Sequence, residues 1–166
     1  LYYMDELKFY DALMRVEYID GEWKVPVNIT PAIGSDGDHI IVSASADGKT
    51  LFLYLYEPPK AGEIYRTQFL ENDWSDLELL NENINTVYHE THASISADGK
   101  TLYFTSNREG GIGGMDIYKS ELDSSNNWGP AVNLGPVINT PYNEETPIIN
   151  SEDEISTGLP GKTGSV

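Results

Sequence analysis

The chain has 166 residues, 39% of them apolar and 22% charged, enough for a hydrophobic core and far from a disordered composition. Ten basic residues against 27 acidic ones give a net charge of −17, which repels phosphate backbones and argues against a nucleic-acid partner. There is no cysteine, so disulfide and thiolate chemistry are excluded, and no apolar run approaches the length of a membrane-spanning helix. So acidic a surface favours neutral, cationic or metal-bridged partners, or serves solvation alone.

Taken in order, the chain opens on Leu1-Tyr2-Tyr3, which matches the strand following a turn in later copies of a repeat. Residues 10–18 read as the next strand, Trp23 as a landmark, and 24–29 as a short, irregular strand whose proline suits an edge. The pattern then restarts. Ala46-Asp47-Gly48-Lys49-Thr50-Leu51-Phe52 is a turn and strand that recur 51 residues later as Ala97-Asp98-Gly99-Lys100-Thr101-Leu102-Tyr103. The Asp-Gly pair predicts a two-residue hairpin turn with φ > 0, and the β-branched and aromatic residues after it predict a half-buried strand. Third strands are expected at 63–67 and 116–120, tryptophans follow at 74 and 128, and fourth strands at 77–80 and 130–134. Finally, 146–157 resembles another hairpin whose turn has become Glu152-Asp153-Glu154, and 158–166 a glycine-rich loop ending where a third strand is due.

Four short strands per repeat of about 51 residues, with no sustained helical periodicity, predict an all-β fold of four-stranded antiparallel blades stacked as a β-propeller. The expected division is an incomplete blade over 1–36, blades over 37–87 and 88–141, and the start of a further blade over 142–166. Since propellers close with four to eight blades, the chain reads as a partial propeller, a piece of a larger ring or a partnered subunit. Its open edges call for cover.

The phrases Ser94-Ile95-Ser96-Ala97-Asp98-Gly99-Lys100-Thr101-Leu102-Tyr103-Phe104-Thr105-Ser106-Asn107-Arg108, Gly110-Gly111-Ile112-Gly113-Gly114-Met115-Asp116-Ile117-Tyr118 and Trp128-Gly129-Pro130-Ala131-Val132-Asn133-Leu134-Gly135-Pro136-Val137-Ile138-Asn139-Thr140-Pro141-Tyr142-Asn143-Glu144 together resemble the TolB-type, WD40-like propeller repeats of Bacteroidota cell-envelope proteins. Such chains often also carry an OmpA-like peptidoglycan-binding domain. The resemblance implies a non-catalytic interaction or scaffold module at the periplasm or outer membrane, whose partners are other envelope proteins or a peptidoglycan-associated complex. The alternatives are a propeller lid or accessory domain of a peptide or glycan hydrolase, and a rigid spacer.

Propeller geometry places the Asp-Gly turns on one rim and, on the other, the glycine-rich loop 107–115 with the connections 85–92 and 139–146. That second rim carries the expected binding face: Tyr88, His89, Glu90, Asn107, Arg108, Tyr142, Asn143 and Glu144. A second reading has the Asn-Thr-Pro-Tyr segment as turn chemistry, with Tyr142 packed between blades. No catalytic residue and no cofactor are expected. His89-Glu90-Thr91-His92 lacks the i, i+4 histidine spacing of a zinc protease and leads into a strand, where positions 89 and 92 diverge. Glu144 and Glu145 are hard oxygen donors that would suit calcium, without a loop spacing to match. Gly158-Leu159-Pro160-Gly161-Lys162-Thr163 has Ser156 where a phosphate loop needs its first glycine. The aspartate-box spacing of sialidase propellers and the glycine-flanked serine of a nucleophile elbow are both absent.

Overall fold

The computed structural model of the chain describes residues 1–6, 10–150, 154–156 and 163–165, the last three by their backbone. Strands make up its regular structure; the described residues include no α-helix, only a 3₁₀ turn at Pro31–Ile33. Four antiparallel sheets follow one another along the chain. The first holds β1 (Tyr2–Glu6), β2 (Asp11–Arg15) and β5 (Val27–Asn28), with a small hairpin of β3 (Tyr18–Ile19) and β4 (Glu22–Trp23) beside it. The second runs β6 (Ile40–Ala44), β7 (Thr50–Leu55), β8 (Glu63–Leu70) and β10 (Glu78–Leu79), with β9 (Asp73–Trp74) extending the β8 hairpin. The third runs β11 (Glu90–Ile95), β12 (Thr101–Ser106), β13 (Asp116–Glu121) and β14 (Val132–Asn133). The fourth runs β15 (Ile148–Ile149), β16 (Glu154–Ser156) and β17 (Thr163–Ser165). This is a partial propeller of four-stranded blades.

The side-chain alternation of each central strand explains the stacking. In β7, Leu51 and Leu53 face the first sheet while Phe52 faces the third. In β12, Leu102 and Phe104 face the second sheet while Tyr103 faces the fourth. A strand buried on both faces needs apolar residues at consecutive positions, and both strands supply them. Leu13, Ile64 and Ile117 recur on the third strands, and Ile33, Ile84 and Ile138 on the connections, each facing the next sheet. Phe52 and Phe104, at 1% and 0% exposure, are each worth about 1.5–3 kcal/mol of burial. Trp74 and Trp128 close the outer hairpins opposite Phe69 and Leu122 and pack on the preceding sheet. Trp23 occupies the same repeat position opposite Tyr18, yet is 60% exposed, because no described sheet precedes it.

Three local details differ from the expectations. The Asp-Gly turn is not a two-residue loop: Ser45 N–H donates to Thr50 O (2.8 Å) and Ser96 N–H to Thr101 O (2.9 Å), enclosing four residues each. Only the glycines take positive φ, 68° and 72°, whereas the aspartates work through their side chains. Asp98 accepts from Ser96 Oγ at 2.7 Å and from Lys100 N–H at 3.0 Å, and Asp47 repeats this with Ser45 and Lys49. The hydroxyl and then the amide hold both carboxyls below the usual range. The fourth strands shrink to two residues; beside β5 and β14 Pro26 and Pro130 have no N–H to donate to a ladder, whereas β10 is equally short without a proline. The fourth sheet gains a third strand, β17, pairing Glu154 with Ser165 where only a loop is expected. Glu152, Asp153 and 158–162 lie outside the described residues.

Gly99 tests the turn. A Cβ there meets no atom within 4 Å, so replacement acts through the backbone alone. Gly99→Val is expected to lose about 1–3 kcal/mol in denaturant unfolding, and Gly99→Asn, which tolerates the left-handed region, distinctly less.

Candidate functional face

The rim opposite the Asp-Gly turns is built by loops that reach across from one sheet to the next. Gly114 N–H donates to Tyr142 O at 3.2 Å, Glu144 N–H to Met115 O at 2.8 Å and Met115 N–H to Asn143 Oδ1 at 3.1 Å, joining the glycine-rich loop to the connection after the third sheet. A Cβ on Gly113 would run into the carbonyl oxygens of Thr140 and Tyr142, so only glycine permits this approach. One sheet earlier the pattern repeats: Glu90 N–H donates to Gly62 O at 3.1 Å, and Gly62 N–H to His89 Nδ1 at 3.1 Å.

Buried polar side chains brace these loops. Asn85 accepts from Ile64 N–H at 2.8 Å and donates to the carbonyls of Ile64 (2.8 Å) and Leu80 (3.0 Å). Asn139 does the same for Ile117, at 2.8 and 3.0 Å, and donates to Asn133 Oδ1 at 2.8 Å. Asp116, 1% exposed, accepts from Ile112 N–H (2.5 Å), Gly113 N–H (2.9 Å) and Asn133 Nδ2 (2.8 Å), which pins the glycine-rich loop to its own third strand. Each group would leave an unmet buried donor or acceptor if removed.

These braces divide the eight expected face residues. Glu90 is fully buried; its carboxylate accepts from Thr86 N–H and Oγ1 (2.9 Å each), Ser106 Oγ (2.6 Å) and Arg108 Nη2 (3.3 Å). Arg108 turns inward, donating to Asn83 O at 3.1 Å and Ile84 O at 2.7 Å, with its guanidinium 4.9 Å from the ring centres of both Phe104 and Tyr118. Glu144 is fully buried and bonded to Thr140 through N–H and Oγ1. Glu90, Arg108 and Glu144 are therefore internal rather than recognition groups. Asn107 and His89 clasp each other's backbone, His89 N–H donating to Asn107 Oδ1 at 2.8 Å. Tyr88 is half-buried, and the neighbouring Glu109 carboxylate raises the pKa of its phenol. Tyr142, 76% exposed, and Asn143 stand on the surface, joined by Val87 at 86%. Tyr142 thus projects outward rather than packing between blades.

The bracing residues Asn85, Asn139 and Asp116 escape a reading that looks for exposed chemistry. The signal is positional: each asparagine falls eleven residues past its tryptophan, and Thr and Glu follow at the same offsets. In the first repeat Ser35 and His39 hold the equivalent positions, with Ser35 Oγ 3.1 Å from His39 Nδ1. Arg108 has its counterpart in Glu57, so a carboxylate at 39 would find no cation there, and a neutral imidazole serves instead. Ser35, His39 and Asp36 do not form a hydrolytic relay, because Asp36 at 3.9 Å approaches the same ring nitrogen as the hydroxyl. Burial lowers the His39 pKa against the opposing pull of Asp36 and Asp38. The unfolded chain therefore takes up this proton first as pH falls, and the stability His39 provides is present above the ordinary histidine pKa and lost below it. Melting scans are expected to show a decline below about pH 6.5 that His39→Gln lessens.

Among the described residues no three histidine or acidic side chains converge as metal ligands. His92 Nδ1 lies 2.9 Å from Thr91 Oγ1, and Glu144 is taken up by Thr140. No helix of the described residues is long and apolar enough to cross a membrane.

No protein-family model matches the chain, and no curated protein does. Among solved structures it is similar to TolB from Acinetobacter baumannii, with a TM-score of 0.60 and 17% identity over 97% of this chain and 35% of that one. The chain thus spans about a third of the TolB chain, and the likeness is one of fold: a TolB-like β-propeller.

Proposed function

We propose that the chain is a non-catalytic interaction or scaffold module of a bacterial envelope protein of the Bacteroidota type, acting in the periplasm or at the outer membrane. It binds protein or glycan partners through the rim formed by the glycine-rich loop and the two inter-sheet connections. The observation that carries the reading is the contrast within that rim, where buried Glu90, Glu144, Asp116, Asn85 and Asn139 fix the loops while Tyr142 and Val87 project from them. Exposed apolar groups on rigidly held loops are what a recognition surface requires, because little ordering entropy is lost on docking. The TolB-like fold supports an envelope setting, and the resemblance of its repeat phrases to Bacteroidota envelope propellers supports partners belonging to an OmpA-like, peptidoglycan-associated complex.

The test presents immobilised protein to solubilised envelope proteins and to peptidoglycan fragments. A double variant, Tyr142→Ala with Val87→Asp, is expected to lose the retained species. Asp47→Asn with Asp98→Asn, on the opposite rim, is expected to keep them. Retention by both variants, or by neither, overturns the assignment of this face.

A further inference from the structure

The second and third sheets hold between them a pocket of about 120 Å³, on the side of the Asp-Gly turns, where Gly99 approaches β7 and β8. Phe52, Ile95 and Leu122 give it apolar walls that continue the core between these sheets. Arg66 and Trp128 also line it, at 9% and 5% exposure. Each carries a buried donor with no acceptor among the described residues: Nε–H of the guanidinium and Nε1–H of the indole. A buried donor costs free energy until it meets an oxygen. Two of them around one pocket specify a ligand that accepts.

The repeat shows what sets Arg66 apart. Arg15, Arg66 and Lys119 hold one repeat position, opposite Tyr2, Phe52 and Tyr103. Arg15 and Lys119 pair with the glutamate two residues on, Glu17 at 2.6 Å and Glu121 at 3.4 Å. Two residues beyond Arg66 stands Gln68, so the guanidinium reaches to Glu78 on β10 instead, Nη2 to Oε2 at 2.7 Å. Its charge is balanced there and its Nε–H is left over. Trp128 is held from the second sheet, where the side-chain amides of Asn81 and Asn83 donate to its carbonyl at 2.8 and 2.7 Å.

We propose that this pocket binds the acetamido group of an N-acetylated sugar. The carbonyl oxygen accepts from Arg66 Nε and Trp128 Nε1, the methyl lies against the apolar walls, and Gln68, which also lines the pocket, accepts the amide N–H. A carboxylate fits less well, because Glu78 already balances the guanidinium and the chain carries a net charge of −17. A primary amide such as a glutamine side chain would set a polar NH2 group against Phe52, Ile95 and Leu122. The volume admits a group of a few heavy atoms, so the sugar ring stays outside, beside Asn126 and the Gly99 turn. This site lies on the rim opposite the recognition loops, so either can fail without the other.

The probe is N-acetylglucosamine, titrated into the intact protein and read by the indole N–H signals of the three tryptophans in a proton–nitrogen correlation spectrum, with Trp128→Phe assigning that residue's own signal. The Trp128 signal is expected to move and to saturate with a dissociation constant of about 1 mM, as a ligand of this size allows. The Trp74 signal, from the equivalent residue one sheet earlier, is expected to stay. Glucose and acetate, which lack the amide, should leave both in place. Arg66→Lys keeps a charge for Glu78 but has no Nε–H, and is expected to weaken binding about tenfold or more. Should that variant fold poorly, the glucose and acetate arms on the intact protein decide. No movement of the Trp128 signal at about 20 mM N-acetylglucosamine overturns the proposal. So does movement with acetate, which makes the pocket an anion site, or equal movement of Trp74, which makes the effect unspecific.

Discussion

Glu90→Gln is expected to cost about 3–5 kcal/mol in denaturant unfolding, among the largest effects a single substitution has in this chain. The Glu90 side chain is fully buried, and the Arg108 side chain beside it is only 14% exposed. Neutralising Glu90 leaves that guanidinium without its counter-charge and replaces one acceptor oxygen with a donor among hydroxyls and an amide already aimed at it. The double variant Glu90→Gln with Arg108→Met is expected to lose less than the sum of the two single changes, because neither charge is then stranded. Strict additivity would mean the pair does not interact, and the inward placement of Arg108 would be wrong. Since Arg108 also reaches Asn83 and Ile84, its loss should loosen the connection carrying Val87 and Tyr88.

The second large effect is expected at Asn85. Asn85→Ala leaves the Ile64 N–H and the Leu80 carbonyl without the partner Asn85 supplies, and the Ile64 carbonyl with the Leu80 N–H alone, a loss of about 3 kcal/mol. Asn85→Asp is expected to be worse near neutral pH, because a buried carboxylate would face two carbonyl oxygens that need a donor. Desolvation raises the folded-state pKa of such a group above its unfolded value. The unfolded state then holds fewer protons between the two values, so the deficit shrinks as pH falls toward the ordinary aspartate range. Unfolding midpoints of both variants between about pH 7 and pH 4 check the sign: Asn85→Asp should gain on Asn85→Ala as the medium is acidified.

The fold was legible because its signals repeat. Trp23, Trp74 and Trp128 and the two Asp-Gly turns set the period, and runs such as Leu51-Phe52-Leu53 declare strands buried on both faces. The turn geometry was less legible, since Asp-Gly is compatible with several loops and the choice rests on Ser45 and Ser96 reaching across them. The candidate face was legible as a location but not residue by residue. Charged side chains are seldom fully buried without partners, so Glu90, Arg108 and Glu144 read as surface, whereas Thr86, Ser106 and Thr140 meet their bonding needs inside. Tyr142 shows the reverse. Its place between Pro141 and Asn143 suits a packed turn as well as a projecting one; in the structure Gly113 and Gly114 approach its backbone carbonyl and the residue is 76% exposed.

The division of labour on this rim, braces beneath and recognition groups above, is tested most directly by melting Tyr142→Ala beside Glu144→Ala. Tyr142→Ala is predicted to unfold within about 0.5 kcal/mol of the parent, as a surface change does, while Glu144→Ala loses about 1–3 kcal/mol by stranding the Thr140 N–H and hydroxyl. If Tyr142→Ala unfolds as early as Glu144→Ala, the tyrosine holds the sheets together and the face proposed for partners is part of the core.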